Sequence, residues 1–165
     1  YQFGNKDKEI TLFKQTLSDD VSAMSKLYGS SSRKVYNVPS GFQKICFVDL
    51  SDVNPNMITD EPLIKDSVIN QVQENVFIFI DVEITGVYVE NLRLSQPNYY
   101  CVDESRVKLD IWLYGEQEGT RVKTPVYNQY CQDADSAGPT MCLGLDIAFF
   151  DGYKQECCDT YGLCC

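Results

Sequence analysis

Apolar residues recur every three or four positions near the start of the chain. The recurring residues are Ile10, Phe13, Leu17, Val21, Met24 and Leu27, with lysines and acidic residues between them. This spacing puts the apolar side chains on one face of a helix, so the pattern predicts an amphipathic helix over residues 8–28. Gly29 and the serines at 30–32 are expected to end it.

The apolar period then changes from helical spacing to alternation. Segments 35–38 and 43–50 are predicted strands, separated by a turn at 39–41, and a polar loop follows at 51–61. Pro62 opens a predicted short helix that reaches about residue 73. Its expected inward side chains are Leu63, Ile64, Val68, Ile69 and Val72. Further predicted strands, rich in Val, Ile, Phe and Tyr, lie at 76–80, 83–94, 99–102, 107–114, 120–127 and 142–150.

Short strands at this spacing are typical of a sandwich or barrel. We therefore predict a mainly β (α+β) fold, in which an N-terminal α-helix packs on an antiparallel β-sandwich. A short second helix and a disulfide-rich C-terminal tail complete it. The expected parts are an arm and amphipathic helix at 1–30, a β-sandwich at 31–130, and a disulfide-stapled tail at 131–165 packed on the sandwich.

The chain has eight cysteines and no histidine, and four of the cysteines fall within the last nine residues. An even count without histidine predicts four disulfides formed in an oxidising compartment. The predicted disulfide residues are Cys46, Cys101, Cys131, Cys142, Cys157, Cys158, Cys164 and Cys165. Adjacent cysteines are expected to reach different partners, because a bond between neighbours strains the intervening peptide. We expect no metal site, since no Cys-x-x-Cys spacing occurs, and no cofactor.

Cys46 and Cys101 lie in matching apolar strand contexts, Ile-Cys-Phe and Tyr-Cys-Val. We predict that they form a disulfide that crosses the core, and two free buried thiols are the alternative. The other six cysteines allow fifteen pairings, and the sequence does not choose among them.

Charge narrows the range of partners. The net charge is −10, so nucleic acid and anionic membrane surfaces are not expected to bind. No run of 18 apolar residues occurs, and the sequence begins with Tyr1 rather than Met. We expect an upstream segment to have been removed, so that any membrane contact runs through a segment absent from this chain.

Three further groups of residues suggest chemistry only weakly. Asp52, Asn54 and Asn56 alternate as in a calcium loop, but Gly and Glu are missing at the required later positions, so a solvated loop is favoured. Asp133 and Asp135 are weaker still. Late tyrosines suit an interface, a glycan contact or the core, namely Tyr99, Tyr100, Tyr114, Tyr127, Tyr130, Tyr153 and Tyr161. Without histidine, and with every cysteine assigned to a disulfide, we expect no enzyme activity.

Three stretches of the chain together suggest a family. They are Phe-Lys-Gln-Thr-Leu at 13–17, Pro-Ser-Gly at 39–41 followed by Lys-Ile-Cys-Phe-Val-Asp at 44–49, and Asn-Val-Phe-Ile-Phe at 75–79 with Tyr-Cys-Val-Asp at 100–103 and Val-Lys-Leu at 107–109. In this order they resemble the soluble part of archaeal type IV pilin-like secreted surface proteins of small-genome archaea, over residues 10 to about 125. The resemblance implies a cell-surface location and a helix that follows a hydrophobic N-terminal segment. The tail after residue 130 lies outside it.

These observations predict a structural subunit of an extracellular filament or pilus-like surface appendage, with copies of itself as partners. The expected subunit contact uses the helix stripe at Ile10, Phe13, Leu17, Val21 and Met24 and the polar arm at 1–8, which would fray unless a neighbour buried it. The alternative is a secreted or anchored adhesin or glycan-binding ectodomain, with surface glycans or other cells as partners. Either role places the protein outside the cell or on its surface.

Overall fold

The computed structural model describes residues 3–95, 98–103, 108–123, 136–139, 142, 157–158 and 163–165, with the backbone alone at 3, 4 and 103. Two α-helices, a 3₁₀ turn and eight strands lie within these residues. In chain order they are α1 (Phe3–Met24), β1 (Ser31–Asn37), β2 (Phe42–Val48), the 3₁₀ turn Pro55–Met57, α2 (Pro62–Ile69), β3 (Val76–Ile80), β4 (Glu83–Val87), β5 (Leu92–Arg93), β6 (Tyr99–Asp103), β7 (Lys108–Glu116) and β8 (Gly119–Lys123).

The strands form two four-stranded sheets. Sheet A has the order β1-β7-β8-β5, and sheet B has the order β4-β3-β2-β6. All pairs are antiparallel except β5 with β8, which is parallel through Leu92 opposite Thr120 and Arg93 opposite Arg121. The predicted fold class is confirmed: an N-terminal helix, two sheets, a short second helix and C-terminal disulfides make an α+β molecule. One detail differs, because the parallel pair makes sheet A mixed rather than purely antiparallel.

Several predicted elements differ from the structure in extent. The strand expected over 83–94 is interrupted, and its two parts, β4 and β5, belong to different sheets. The first helix ends at Met24, and two of the serines expected to end it, Ser31 and Ser32, instead begin β1. Leu27 is therefore outside the helix and exposed. The predicted strand at 142–150 lies almost entirely outside the described residues.

One core joins α1 to the facing sides of both sheets. Alternate residues of β7 point into it, as the burial of Leu109, Ile111 and Leu113 shows. Sheet B contributes Ile45 and Ile78 from its two central strands. This alternation is the period-two pattern of a half-buried strand, so it fixes which face of each sheet points inward.

A second apolar cluster covers the opposite side of sheet B. It joins Cys46, Phe77 and Phe79 to Ile58 of the loop and Ile64 of α2. Of the five side chains predicted to face inward from α2 and the residues after it, Ile64 is fully buried and Val68 is partly buried. Leu63, Ile69 and Val72 are exposed, so their prediction was wrong. Leu63 directly precedes and Ile69 directly follows an inward-facing residue in sequence, so helix geometry turns them to another face, and Val72 lies beyond the end of α2 at Ile69.

The chain divides into two compact units, residues 1–123 and residues 124–165. The first contains every helix and strand named above. The predicted packing of the tail on the sandwich stays a prediction. Within the described residues, no helix is both long and apolar enough to span a membrane.

Candidate functional site

The C-terminal end of α1 is docked on sheet A by a close backbone approach. A side chain at Gly115 of β7 would lie about 2.2 Å from the Leu27 carbonyl oxygen and 2.6 Å from that of Met24, so only glycine fits there. The buried hydroxyl of Thr120 donates a hydrogen bond of 2.6 Å to the Val21 carbonyl. The Gly29 amide donates to the Gly115 carbonyl, and the Gly115 amide donates to the Ser30 carbonyl, just before β1 begins.

The middle of α1 is held against β1 by polar and aromatic contacts. The Asp20 carboxylate accepts from Lys34 Nζ at 2.8 Å and from the Tyr36 hydroxyl at 2.9 Å. Phe13 meets the Tyr36 ring edge-on, with centroids 5.9 Å apart. Burial, together with the nearby Asp20 charge, raises the pKa of the Tyr36 hydroxyl well above its ordinary value.

The first turns of α1 are tied to the turns at one end of the sandwich. Lys6 forms an ion pair of 2.7 Å with Asp81 in the β3–β4 turn. The Glu9 carboxylate accepts from the Ser40 amide, in the β1–β2 turn, at 3.0 Å. The two turns meet where the Asp81 amide donates to the Gly41 carbonyl. We call this region the turn end of the sandwich.

The arm predicted at 1–8 has a different structure from the one expected. Residues from Phe3 onward are already helical, and Lys6 contacts its own domain. Tyr1 and Gln2 lie outside the described residues. The order of residues 3–8 therefore has an explanation within one chain, and it no longer argues for a neighbouring subunit.

The five residues predicted to form a subunit contact are core residues of their own chain. Phe13, Leu17, Val21 and Met24 are buried, and Ile10 packs against the same core. A second copy cannot reach the four buried side chains while α1 stays docked. A contact between folded copies that runs through α1 therefore needs side chains on its other faces.

Leu12 is such a side chain. It is 66% exposed and lies beside an open groove of about 360 Å³ between α1 and β1. Across the groove lies Val35 of β1, which is 55% exposed. β1 is an edge strand of sheet A. The groove thus combines two solvent-facing apolar side chains with the edge of a sheet, a combination on which extended segments of partner proteins dock.

The Cys46–Cys101 disulfide is present, as predicted. It does not cross the core, however. The two residues lie directly opposite each other in the neighbouring strands β2 and β6, and they belong to the second cluster beneath α2. The Tyr99 hydroxyl lies 3.1 Å from Cys101 Sγ and donates to Asp60 at 3.0 Å. The two cysteines can bond because β2 and β6 are neighbours in sheet B, and the disulfide does not link the two sheets.

The C-terminal cysteines are also paired. Cys142 bonds to Cys164, and Cys158 bonds to Cys165. Cys157 is disulfide-bonded as well, while Cys131 lies outside the described residues. The prediction that adjacent cysteines reach different partners is confirmed for both vicinal pairs. These disulfides indicate that the protein folds in an oxidising environment.

The loop with calcium-like spacing uses its oxygens for other contacts. Asn54 caps the 3₁₀ turn by accepting from the Asn56 amide, and the Asp52 carboxylate pairs with Arg93 at 2.9 Å. Glu61 pairs with Lys44 of β2. No group of three or more potential metal ligands occurs among the residues that the structure describes. Asp133 and Asp135 lie outside that part of the chain.

The three late tyrosines that the structure describes do not form one surface. Tyr99 is buried beside Asp60, and the Tyr100 ring packs on Phe47 at 5.4 Å. The Tyr100 hydroxyl is buried and has no hydrogen-bond partner among the described residues, and burial raises its pKa. Tyr114 points outward from sheet A. The remaining four lie outside the described residues, namely Tyr127, Tyr130, Tyr153 and Tyr161.

One buried polar network was not predicted from the sequence. The Asp49 carboxylate is fully buried and accepts from the amides of Leu94 and Ser51. Arg93 of sheet A lies 3.0 Å from it, so the network joins the end of β2 to β5 across the two sheets. An acidic residue directly after a hydrophobic strand, as Asp49 is, only weakly indicates a buried carboxylate, because most acidic residues are exposed to solvent.

Comparison with known proteins gave no match to a family model, to a curated protein or to a solved structure. The function of this chain must therefore be inferred from its own geometry.

Proposed function

We propose that this chain is a non-catalytic structural subunit of an extracellular filament or pilus-like surface appendage, and that α1 is the element through which the sandwich is held. The observation that carries the proposal is the docking of α1. One face is sealed into the core, and the first turns are fastened to the turn end by Lys6 and Glu9. A segment preceding α1 would leave the fold at this end, where it could join equivalent segments of other copies.

The disulfides support a location outside the reducing cytosol, and we place the protein at the cell surface. Its net charge of −10 keeps isolated copies soluble, since like-charged molecules repel. Assembly therefore needs local apolar contacts that outweigh this repulsion.

A filament also needs two different patches on each copy, because a head-to-tail contact that does not close produces an open assembly. The α1–β1 groove is one such patch, since Leu12 and Val35 expose apolar surface on its two sides. It replaces the buried stripe of α1 as the expected contact. A lasting contact should bury about 1,000 Å² or more in total.

The test compares two variants of the native protein by electron microscopy and by sedimentation over a range of concentrations. Leu12→Glu combined with Val35→Thr changes only the groove. Leu63→Glu is the matched control, because Leu63 is an equally exposed leucine on α2. We expect the groove variant to lose filaments while its unfolding transition stays close to that of the wild type, and we expect the control to assemble.

Two outcomes would count against the proposal in different ways. A native protein that remains monomeric at high concentration overturns the filament function. A groove variant that assembles like Leu63→Glu leaves the function standing but moves the contact away from Leu12 and Val35.

A further inference from the structure

The outer edge of sheet B at β4 has no strand beside it within the part of the chain that the structure describes. β4 pairs with β3 on one side only. Its sequence is Glu-Ile-Thr-Gly-Val, without the lysine, arginine or proline residues that commonly guard sheet edges. The edges of sheet A differ, because β5 is only two residues long and β1 carries Arg33 and Lys34. β4 is therefore an edge that is open to strand addition.

The register of β3 and β4 shows which backbone groups face this edge. The two-residue turn at 81–82 joins Ile80 to Glu83, which are direct partners, so this pair exchanges both of its backbone hydrogen bonds. Hydrogen-bonded pairs alternate along an antiparallel ladder. Ile84 and Gly86 lie between them, so the amide and carbonyl of each point away from β3. Among the described residues, no hydrogen bond from outside the sheet reaches these groups.

Three apolar side chains near this edge are exposed to solvent. Val82 is 97% exposed, Tyr88 is 51% exposed and Ile84 is 37% exposed. Together with Gly86 they occupy every second position from 82 to 88. Alternate residues of a strand share a face, so Ile84 and Gly86 lie on one face of β4, and Val82 and Tyr88 follow at its two ends. Such a row suggests a contact, because polar residues ordinarily occupy solvent-facing strand positions.

This row is complementary to itself when two copies of β4 run antiparallel. If Thr85 lies opposite Thr85 of the second copy, Ile84 lies opposite Gly86 of that copy. The outward amides and carbonyls of these two residues then bond to each other on both sides of the axis. The same register places Val82 opposite Tyr88 of the second copy at each end. One arrangement therefore satisfies the free backbone groups and brings all three exposed apolar side chains against the other copy.

The charges near the edge also match in this register. Glu83 is the single charged residue of β4, and it would lie opposite Val87 of the second copy rather than opposite another Glu83. Lys14 of α1 lies near that end of β4, because the Glu74 carboxylate lies against Gly86 and also acts on Lys14. Burial lowers the pKa of Lys14, the Glu74 charge opposes this effect, and no ion pair holds Lys14 among the described residues. The two-fold register thus brings opposite charges of the two copies to the same place.

We propose that β4 is a dimerisation edge, to which β4 of a second copy adds antiparallel about a two-fold axis at Thr85. The four-stranded sheets B of the two copies then form one continuous sheet. Because a two-fold contact uses the same patch on both copies, it closes at a dimer. This contact is separate from the α1–β1 groove and does not depend on filament formation.

The groove variant, Leu12→Glu with Val35→Thr, allows the contact to be measured without filament assembly. We expect it to form a concentration-dependent dimer in sedimentation. Adding Ile84→Lys should weaken this dimer at least about tenfold, because a charge replaces an apolar side chain of the contact in both copies. Leu63→Lys is the matched control, since Leu63 is an exposed aliphatic residue at the start of α2, and it should leave the dimer unchanged. Far-ultraviolet circular dichroism and the unfolding transition check that each variant is folded.

An introduced cysteine tests the register itself. Thr85 lies on the proposed axis in a pair without hydrogen bonds, so its Cα atoms in the two copies should be about 4.5 Å apart, within reach of a disulfide. The native cysteines that the structure describes are all disulfide-bonded, so Thr85→Cys adds a free thiol. It should form a covalent dimer through position 85, identified by peptide mapping. Thr11→Cys, at an exposed position of α1, is the control and should stay monomeric under the same oxidation.

Three results would overturn the proposal. A groove variant that remains monomeric at high concentration would show that the edge of β4 stays unpaired. A dimer that withstands Ile84→Lys would place the contact elsewhere. Thr85→Cys that cross-links no faster than Thr11→Cys would exclude a two-fold axis at Thr85.

Discussion

Replacing Leu17 by alanine tests whether the apolar stripe of α1 belongs to the core of a single chain. Leu17 of α1 is 0% exposed and packs against core residues of the two sheets. The change removes three carbon atoms, worth about 2.4 kcal/mol at about 0.8 kcal/mol each. The cavity left behind adds to this loss, so the free energy of unfolding should fall by about 3 to 4 kcal/mol. The corresponding drop in Tm is about 10 °C for a chain of this size.

Leu12→Ala is the matched control, since it makes the same chemical change on the same helix at a position that is 66% exposed. It should alter the free energy of unfolding by no more than about 0.5 kcal/mol. Urea unfolding with the disulfides intact, followed by Trp112 fluorescence and circular dichroism, measures both. The reasoning fails if Leu17→Ala costs less than about 1 kcal/mol, or if the two variants lose equal stability.

Three further predictions concern the disulfide, a buried phenol and the buried carboxylate. The double variant Cys46→Ala/Cys101→Ala should lose about 4 kcal/mol of unfolding free energy, because the wild-type disulfide closes a loop of 55 residues. An unchanged midpoint in urea unfolding would contradict this. The pKa of Tyr36 is raised by burial, so stability should hold below the ordinary tyrosine pKa of about 10 and fall as pH rises beyond it. Tyr36→Phe should flatten that fall in pH-dependent unfolding, and an equally steep fall in the variant would refute the assignment. Asp49→Ala should cost about 3 kcal/mol because it leaves the Leu94 and Ser51 amides without the buried carboxylate that accepts from them. Asp52→Ala, at a carboxylate that is 58% exposed, should cost less than about 1 kcal/mol. If Asp49→Ala and Asp52→Ala lower stability equally in thermal unfolding, burial of the carboxylate does not determine how much it contributes.

Local periodicity was sufficient to predict α1 and most strands. The spacing of Phe13, Leu17 and Val21 identifies a helix face, because only helical geometry brings such residues together. The start of α1 was placed five residues late. The contact that holds the first turns joins Lys6 to Asp81, which lies 75 residues away, and no local pattern reports such a partner.

Topology explains the other differences. The contexts of Cys46 and Cys101 predicted a bond, but whether it spans two sheets or two neighbouring strands depends on strand order, which alternation does not encode. Residues 92–93 were predicted as part of a strand, but their separation from β4 and their parallel pairing with β8 are not encoded in the local pattern.

The stripe of α1 shows why site prediction was harder than fold prediction. An apolar stripe indicates that a surface is buried, and it does not say by what. Here the stripe is buried by the chain's own sheets, so the residues chosen for a subunit contact are core residues. The candidates for partner binding are instead exceptions to the pattern: Leu12 on the polar side of the helix and Val35 on an edge strand.

The order in which the disulfides are reduced should follow their burial. A thiolate must reach a sulfur atom to break a disulfide, so access controls the rate when the bonds are otherwise comparable. Cys165 is exposed and Cys158 is half-buried, whereas Cys142 and Cys164 are both buried. The Cys158–Cys165 bond should therefore open before Cys142–Cys164.

The Cys46–Cys101 bond should also open after Cys158–Cys165, because Cys46 is 0% exposed and Cys101 is partly buried, both in the apolar cluster under α2. Reduction of the C-terminal disulfides should leave the first unit folded, since its main core contains no cysteine. Timed mild reduction, alkylation and peptide mapping measure the order, and circular dichroism follows the fold in parallel. Labelling of Cys46 and Cys101 before Cys158 and Cys165 would mean that the cluster beneath α2 opens readily in solution, and it would refute the protective role assigned to that helix.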